Sequence, residues 1–198
     1  MSRELYNGLW ITEHRKGGKM QNKDSVMFSH PSFCNRTDGV CGKCYSKRLS
    51  GYRPCLAEKQ EQNTRVITSA YFKPCRLNTI DDSLRWCSMG EIHNKVMYDN
   101  ICRMADLNDH IHHQLWTKRA GLVTWREKPE NMTLVWSATK IDYPDPFIPA
   151  GFDIGFFVYS SYDKIPTDRR TIHCRKKCEE CGHCYEKGAS GIVCEVLK

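Results

Sequence analysis

Short apolar runs alternate along the chain with amphipathic stretches, in an order that predicts a sheet interleaved with helices. Val26-Met27-Phe28 flows through His30-Pro31 into Cys34, which predicts a first strand ending in a loop. Pro54 suits the first turn of a helix, and residues 55–69 continue with Leu56, Ala57, Glu58, Lys59, Gln60, Glu61 and Gln62, then an apolar patch at Val66 and Ile67. A brief strand is predicted over 71–78, followed by the acidic turn Asp81-Asp82. Ile92, Val96, Met97, Ile101, Met104 and Ala105 recur at helical intervals, so 91–107 reads as an amphipathic helix. Residues 112–117 read as a strand, 118–125 as a short helix or turn, and 131–138 as a buried strand. The prolines of 143–149 block regular structure, and the apolar run 152–159 gives one more strand.

Strand, helix, strand, helix and strand in succession predict an α/β protein with a mostly parallel sheet, its functional loops gathered at the carboxyl ends of the strands. The 198 residues hold too few units for a closed eight-fold barrel, which takes about 250. An incomplete (β/α) barrel or a curved open sheet is the expectation. One domain is predicted, with residues 1–22 as an N-terminal extension, 23–170 as the α/β core and 171–198 as a Cys-rich C-terminal segment.

Composition narrows the chemistry. No stretch of about 18 apolar residues is present to span a bilayer, and the first residues lack the apolar core of a secretory signal. A cytoplasmic protein with no membrane partner is expected, and a reducing compartment favours metal or catalytic thiols over disulfides. The sequons at Asn35 and Asn131 then carry no meaning. The formal charge of +7 is spread over short runs such as Lys118-Arg119, Arg169-Arg170 and Arg175-Lys176-Lys177. It permits a nucleic-acid partner without showing a recognisable module.

Twelve cysteines dominate the sequence, and their placement is uneven. Cys34, Cys41 and Cys44 form one group, spaced C-x6-C-x2-C with two intervening glycines. Cys174, Cys178, Cys181 and Cys184 form another, with Cys194 beyond, and the C-x2-C-x2-C within it is the compact spacing of ferredoxin loops. Three thiolates can hold a [4Fe-4S] cluster and leave one iron open, and soft sulfur ligands select iron–sulfur or zinc over hard cations. Zinc, as a knob at the carboxyl end, is the alternative. One cluster shared between the ends and two separate clusters both fit the spacing; gathering of both groups at one rim is the simplest expectation. Cys55, Cys75, Cys87 and Cys102 lack short spacing and read as small buried hydrophobes.

The segments Phe28-Ser-His-Pro-Ser-Phe-Cys34, Cys44-Tyr45-Ser46, Tyr52-Arg53-Pro54, Arg76-Leu-Asn-Thr-Ile-Asp-Asp82, Leu115-Trp-Thr-Lys-Arg119, Pro129-Glu-Asn-Met132 and Cys178-x2-Cys181-x2-Cys184 carry a resemblance over residues 28–184. In them the chain resembles the radical S-adenosylmethionine-like iron–sulfur proteins of phages and bacteria that include a mycobacteriophage gene-product family. The resemblance implies a partial barrel with a cluster at the carboxyl mouth of its strands, S-adenosylmethionine as a cofactor, and Tyr45 at the cofactor site. The first thiol motif departs from the family's C-x3-C-x2-C, and no glycine-rich turn to receive the methionine group is legible after the second strand. Cys174, Cys178 and Cys181 also spell C-x3-C-x2-C, but they follow the last major strand and lack an apolar residue before the third cysteine.

Residues at strand ends are the candidates to surround an open iron: Arg76, Asn78 and Asp82 after one strand, Thr117, Lys118 and Arg119 after another, Ser137 after a third. Lys and Arg there could hold a carboxylate or phosphate. Arg76, Asn78, Asp82 and Lys118 are taken as catalytic, Tyr45 and Ser137 as cofactor-binding, and Cys34, Cys41, Cys44, Cys178, Cys181 and Cys184 as metal ligands. His30 adjoins the thiol loop as a base, a ligand or a structural histidine, and His112 and His113 should face opposite sides of their strand. Three functions compete. One is an iron–sulfur enzyme of electron transfer or radical chemistry, with a small-molecule substrate or an electron donor as partner. The second is a hydrolase or lyase using an open iron as Lewis acid. The third is a metal-stabilised module that binds nucleic acid or protein.

Overall fold

A computed structural model describes residues 1–35, 38–167 and 170–197; Thr37 of the first sequon and Arg169 of the basic run lie outside the described residues. Its strands are β1 (Ser2–Glu4), β2 (Trp10–Glu13), β3 (Asp24–Val26), β4 (Ser83–Trp86), β5 (His112–Thr117), β6 (Met132–Ile141), β7 (Ile154–Tyr159), β8 (Thr171–His173) and β9 (Gly191–Val196). Its helices are α1 (Gly39–Gly42), α2 (Tyr45–Tyr52), α3 (Pro54–Ile67), α4 (Lys95–Leu107), α5 (Ala120–Val123) and α6 (Cys178–Cys181). All the strands join one open sheet in the order β1-β2-β3-β4-β5-β6-β7-β9-β8. The pairs β1–β2 and β2–β3 are antiparallel, and every pair from β3 to β8 is parallel. The chain is therefore α/β with a mostly parallel sheet that does not close.

Parallel strands covered on both faces should be apolar throughout, and β7 is buried at every position. On one face Leu84, Trp86, Leu115 and Leu134 pack with Ile67 of α3 and with Met97, Ile101 and Met104 of α4. The other face carries a second apolar cluster, Val135, Ile154, Phe156, Val158 and Val193, against which Trp116, Cys174 and Cys184 pack. The helix α4 begins where Asn94 caps it by accepting the Met97 amide, 2.9 Å, rather than at residue 91. The buried side of α3 is largely polar. Its Asn63 donates to the carbonyls of Trp10 and Met27 and accepts the Trp10 amide, which ties β2 and the end of β3 to the helix.

Three expectations change. The second parallel strand is β4, not 71–78, where Asn108 satisfies the Leu77 amide and the Cys75 carbonyl and no ladder forms. Residues 1–22 are no mere extension, since they supply β1 and β2, and 171–198 supply β8 and β9. Of the four scattered cysteines, Cys87 and Cys102 are buried and Cys75 half-buried, but Cys55 is exposed on the outer side of α3. All twelve thiols are free. Among the described residues no helix is long and apolar enough to cross a membrane.

His112 and His113 point to opposite faces. His113 is fully buried and its Nδ1 accepts the Trp86 indole N–H at 2.9 Å. Burial pushes its pKa down from 6.5 to about 3. The fold thus requires the neutral ring, whereas the unfolded chain takes up a proton below pH 6.5. This contribution to stability is complete above pH 6.5 and is lost as pH falls toward 3, at up to about 1.4 kcal/mol per pH unit. Thermal melts across that range should show a shallower acid loss for His113→Asn than for the unmodified chain. A residual slope should remain from His14, His30 and His112, whose pKa values burial also lowers.

Candidate functional site

The first thiol group lies in a loop laid across the carboxyl ends of the parallel strands. The loop leaves β3 with the Phe28 amide bonded to the Met89 carbonyl at 3.0 Å. Ser29 then donates from its amide and its hydroxyl to Thr64 Oγ1 on α3 at 2.9 and 3.1 Å. Two glycines press the loop onto its neighbours. A Cβ on Gly90, at φ +77°, would fall 2.0 Å from the Phe28 carbonyl oxygen, and one on Gly39, at φ +57°, would fall 2.3 Å from the carbonyl oxygen of Thr139 in β6. Cys34, Cys41 and Cys44 are each half-buried in this roof. His30 bonds Ser46 through Nε2 at 3.0 Å, a link between the loop and α2 that fits a structural histidine.

Beneath the roof stands a buried carboxylate. Glu91 follows the turn after β4, is 5% exposed, and accepts three donors: the Ile92 amide at 2.8 Å, the Thr117 hydroxyl at 2.5 Å and the Lys118 amide at 2.9 Å. Lys118 sends its ammonium to Ser137 Oγ at 2.7 Å. The Tyr45 hydroxyl donates to the Ser88 carbonyl at 3.4 Å. The Cys34 thiol shares this space: its pKa is pushed up to about 11, by burial first and then by Glu91, Cys41 and Cys44, with Lys118 opposing. Three thiols, a carboxylate and an ammonium therefore converge at the carboxyl ends of β3 to β6.

The second thiol group sits elsewhere. Cys174 follows β8, its amide bonded to the Cys194 carbonyl at 2.8 Å, and the segment then crosses the sheet face opposite α3 and α4, where the Cys178 amide meets the Lys19 carbonyl at 2.7 Å. Burial raises the Cys184 thiol to about 12, and Cys174, Cys178 and Cys181 add to the rise while Arg85 opposes it. Cys184 thus has Cys174, Cys178 and Cys181 for neighbours, and two cations, Arg85 and Lys19, stand beside Cys178. The first group roofs the carboxyl ends of the strands and the second lies over the sheet face that carries Arg85 and Trp116, while Val40, beside Cys41, packs on the same apolar cluster as Cys174 and Cys184. Among the described residues, no three His, Cys, Asp or Glu side chains are already set around a common point as an ion's ligands.

Of the strand-end candidates, Thr117 and Lys118 come together with the first thiol group, as does Ser137, which lies inside β6 rather than after it because that strand runs on to Ile141; Tyr45 joins them from α2. Arg76, Asn78 and Asp82 do not. Because the strand is β4, they precede it: the Asp82 carbonyl accepts the His112 amide at the amino end of β5, roughly 20 Å along the strand from Lys118. Arg76 donates to the Leu107 carbonyl, and the Asn78 carbonyl accepts from Arg3, so both serve the fold there. Arg119 spans the same neighbourhood as Glu91, donating to the carbonyls of Ile92 and His93. Glu91 and Arg85 escaped the sequence reading. Glu91 falls at the start of the predicted helix 91–107, and Arg85 sits in a four-residue strand whose only signal is Leu84 and Trp86 flanking a charge.

Glu91→Ala should lower the urea midpoint, since it strips the Thr117 hydroxyl and two amides of their acceptor, at about 1–3 kcal/mol for each buried group left unpaired. Gly90→Ala should cost about 1–3 kcal/mol from its backbone conformation alone, with the overlap on Phe28 in addition. Gly51→Ala in α2, where a Cβ meets nothing within 4 Å, should instead stabilise by about 0.5–1 kcal/mol. Equal denaturation midpoints for the two glycine variants would contradict the packing described. Compared with protein families, curated proteins and solved structures, the chain matches none, so its site is read from its own residues.

Proposed function

We propose that this chain is an iron–sulfur enzyme whose thiols Cys34, Cys41 and Cys44 hold a [4Fe-4S] cluster over the carboxyl ends of β3 to β6, for electron transfer or radical chemistry on a small molecule. Cys178, Cys181 and Cys184 are read as further metal ligands. The observation that carries the reading is the thiol loop roofing a buried carboxylate and an ammonium at the edge where open parallel sheets place their ligands. The donor set suits the group, since three soft thiols select iron–sulfur over hard cations. When bound, a cluster on three protein thiolates offers one iron without a protein ligand and supplies a single electron.

The chain's own residues define what would bind beside it. Lys118 presents an ammonium suited to a carboxylate or phosphate, held in place by Ser137. Glu91 fixes the backbone of Lys118 and the hydroxyl of Thr117, so the floor of the site is rigid. S-adenosylmethionine is the molecule this reading favours. The glycine turn that the resembled family places after its second strand has a counterpart in Ser88-Met89-Gly90-Glu91 once β4 is taken as that strand. The parallel run β3 to β7, in chain order, is also what a partial (β/α) barrel of that family would use.

Anaerobic purification should give a brown protein with iron and acid-labile sulfide at about four irons per cluster. Cys34→Ala should lose the iron bound at the first thiol group. Reduction by dithionite in the presence of S-adenosylmethionine should release 5′-deoxyadenosine, read by chromatography. A colourless protein carrying only zinc under these conditions ends the proposal.

A further inference from the structure

Under the second thiol group the sheet carries buried polar atoms that nothing in the chain satisfies. Arg85 of β4 and Gln114 of β5 stand directly opposite one another in the parallel register. Gln114 is fully buried, yet both its amide nitrogen and its oxygen lack a hydrogen-bond partner. The Arg85 Nε and the Trp116 indole nitrogen are buried and unpartnered too. These side chains share one face, for Gln114 and Trp116 are two apart on β5, and the Arg85 guanidinium lies 3.9 Å from the centre of the Trp116 ring. The turn His183–Tyr185 packs against β5 from above. Cys174 and Cys184 rest on the same apolar cluster as Trp116.

A buried donor without an acceptor costs about 1–3 kcal/mol, and this patch concentrates three of them, one on the Arg85 cation itself. Such a floor fits a ligand that is anionic, rich in acceptor atoms and held by the thiols above it. We propose that Cys174, Cys178, Cys181 and Cys184 hold a second iron–sulfur cluster, with Cys174 as its fourth ligand, and that Arg85, Gln114 and Trp116 donate hydrogen bonds to its sulfurs. The cluster is separate from the centre at Cys34, Cys41 and Cys44. It accounts for the unmet N–H donors of Arg85, Gln114 and Trp116, because bridging sulfides and thiolate sulfurs accept N–H bonds, and hydrogen bonding and charge around a cluster set its reduction potential. Arg85 and Lys19 offset the negative charge of four thiolates. Donors and positive charge both favour the reduced, more negative state, so Arg85 and Trp116 raise the potential of this cluster.

The inference rests on the iron–sulfur reading and is tested so that the two can fail separately. The full chain, purified anaerobically, should hold iron and sulfide for two clusters, about eight irons. Cys178→Ala combined with Cys181→Ala, which leaves only two of the four C-terminal thiols, should lose about half of that iron, and Cys34→Ala the other half. With the first cluster removed by Cys34→Ala, a dithionite titration followed by electron paramagnetic resonance reads the second alone. Adding Arg85→Leu should then lower its potential by an amount equivalent to at least a tenfold change in the reduction equilibrium, about 59 mV for one electron. Trp116→Phe, which keeps the ring and removes the N–H, should shift it the same way by less; it carries the test if Arg85→Leu fails to fold. No iron in the unmodified protein overturns the iron–sulfur reading as a whole. Full iron retained in the Cys178→Ala, Cys181→Ala double variant, zinc on the C-terminal thiols, or potentials unmoved by both floor variants overturn this inference while leaving the first centre standing.

Discussion

The carboxylate of Glu91 is the interaction on which the site depends. A buried carboxylate is tolerated only when donors meet it, and here the donors come from two strand ends: the Ile92 amide just after the β4 turn, and the Thr117 hydroxyl and Lys118 amide at the end of β5. Those bonds set the height of the β4 turn relative to β5. The turn in turn receives the thiol loop, because Gly90 leaves room for the Phe28 carbonyl and for nothing larger than hydrogen. Roof and floor of the site are therefore registered to one another through a single side chain and a single missing one.

Positive charge accompanies both thiol groups without neutralising them by ion pairing. Lys118 stands under Cys34, and Arg85 and Lys19 stand beside Cys178, Cys184 and Cys174. Burial pushes the Cys34, Cys178 and Cys184 thiols toward the protonated form, and the cations pull the other way. An environment of this kind suits sulfur that becomes anionic only when it is liganded. The two groups differ in setting: the first lies over the carboxyl ends of the strands and the second over a sheet face, and the cysteines of both are half-buried.

The helix α3 shows how polar burial serves placement. Its inward positions include Gln60, Asn63 and Thr64, all buried, and each bonds outside its own helix or back to its own carbonyls. Asn63 and Thr64 hold the chain on either side of Phe28, from the Met27 carbonyl to the Ser29 amide, and so aim the loop that ends in Cys34. Apolar contacts would have supplied burial without fixing that direction, since dispersion is not directional and hydrogen bonds are.

Local pattern was enough to read the α/β class, the helices α3 and α4, the strands β5, β6 and β7, and the division of the thiols into two groups, because periodicity and spacing are properties of neighbouring residues. The opposed faces of His112 and His113 followed from the two-residue repeat of a strand. What escaped depended on distant partners. β4 is four residues long and earns its place from the ladders of β3 and β5, while β1, β2, β8 and β9 add to edges that no local signal announces. Missing β4 moved Arg76, Asn78 and Asp82 to the wrong end of the sheet and hid Glu91 inside a helix. Where each thiol group lies was likewise left to tertiary packing: spacing along the chain fixes which sulfurs can share a turn, but the surface that turn covers depends on distant partners, such as the Lys19 carbonyl that meets the Cys178 amide.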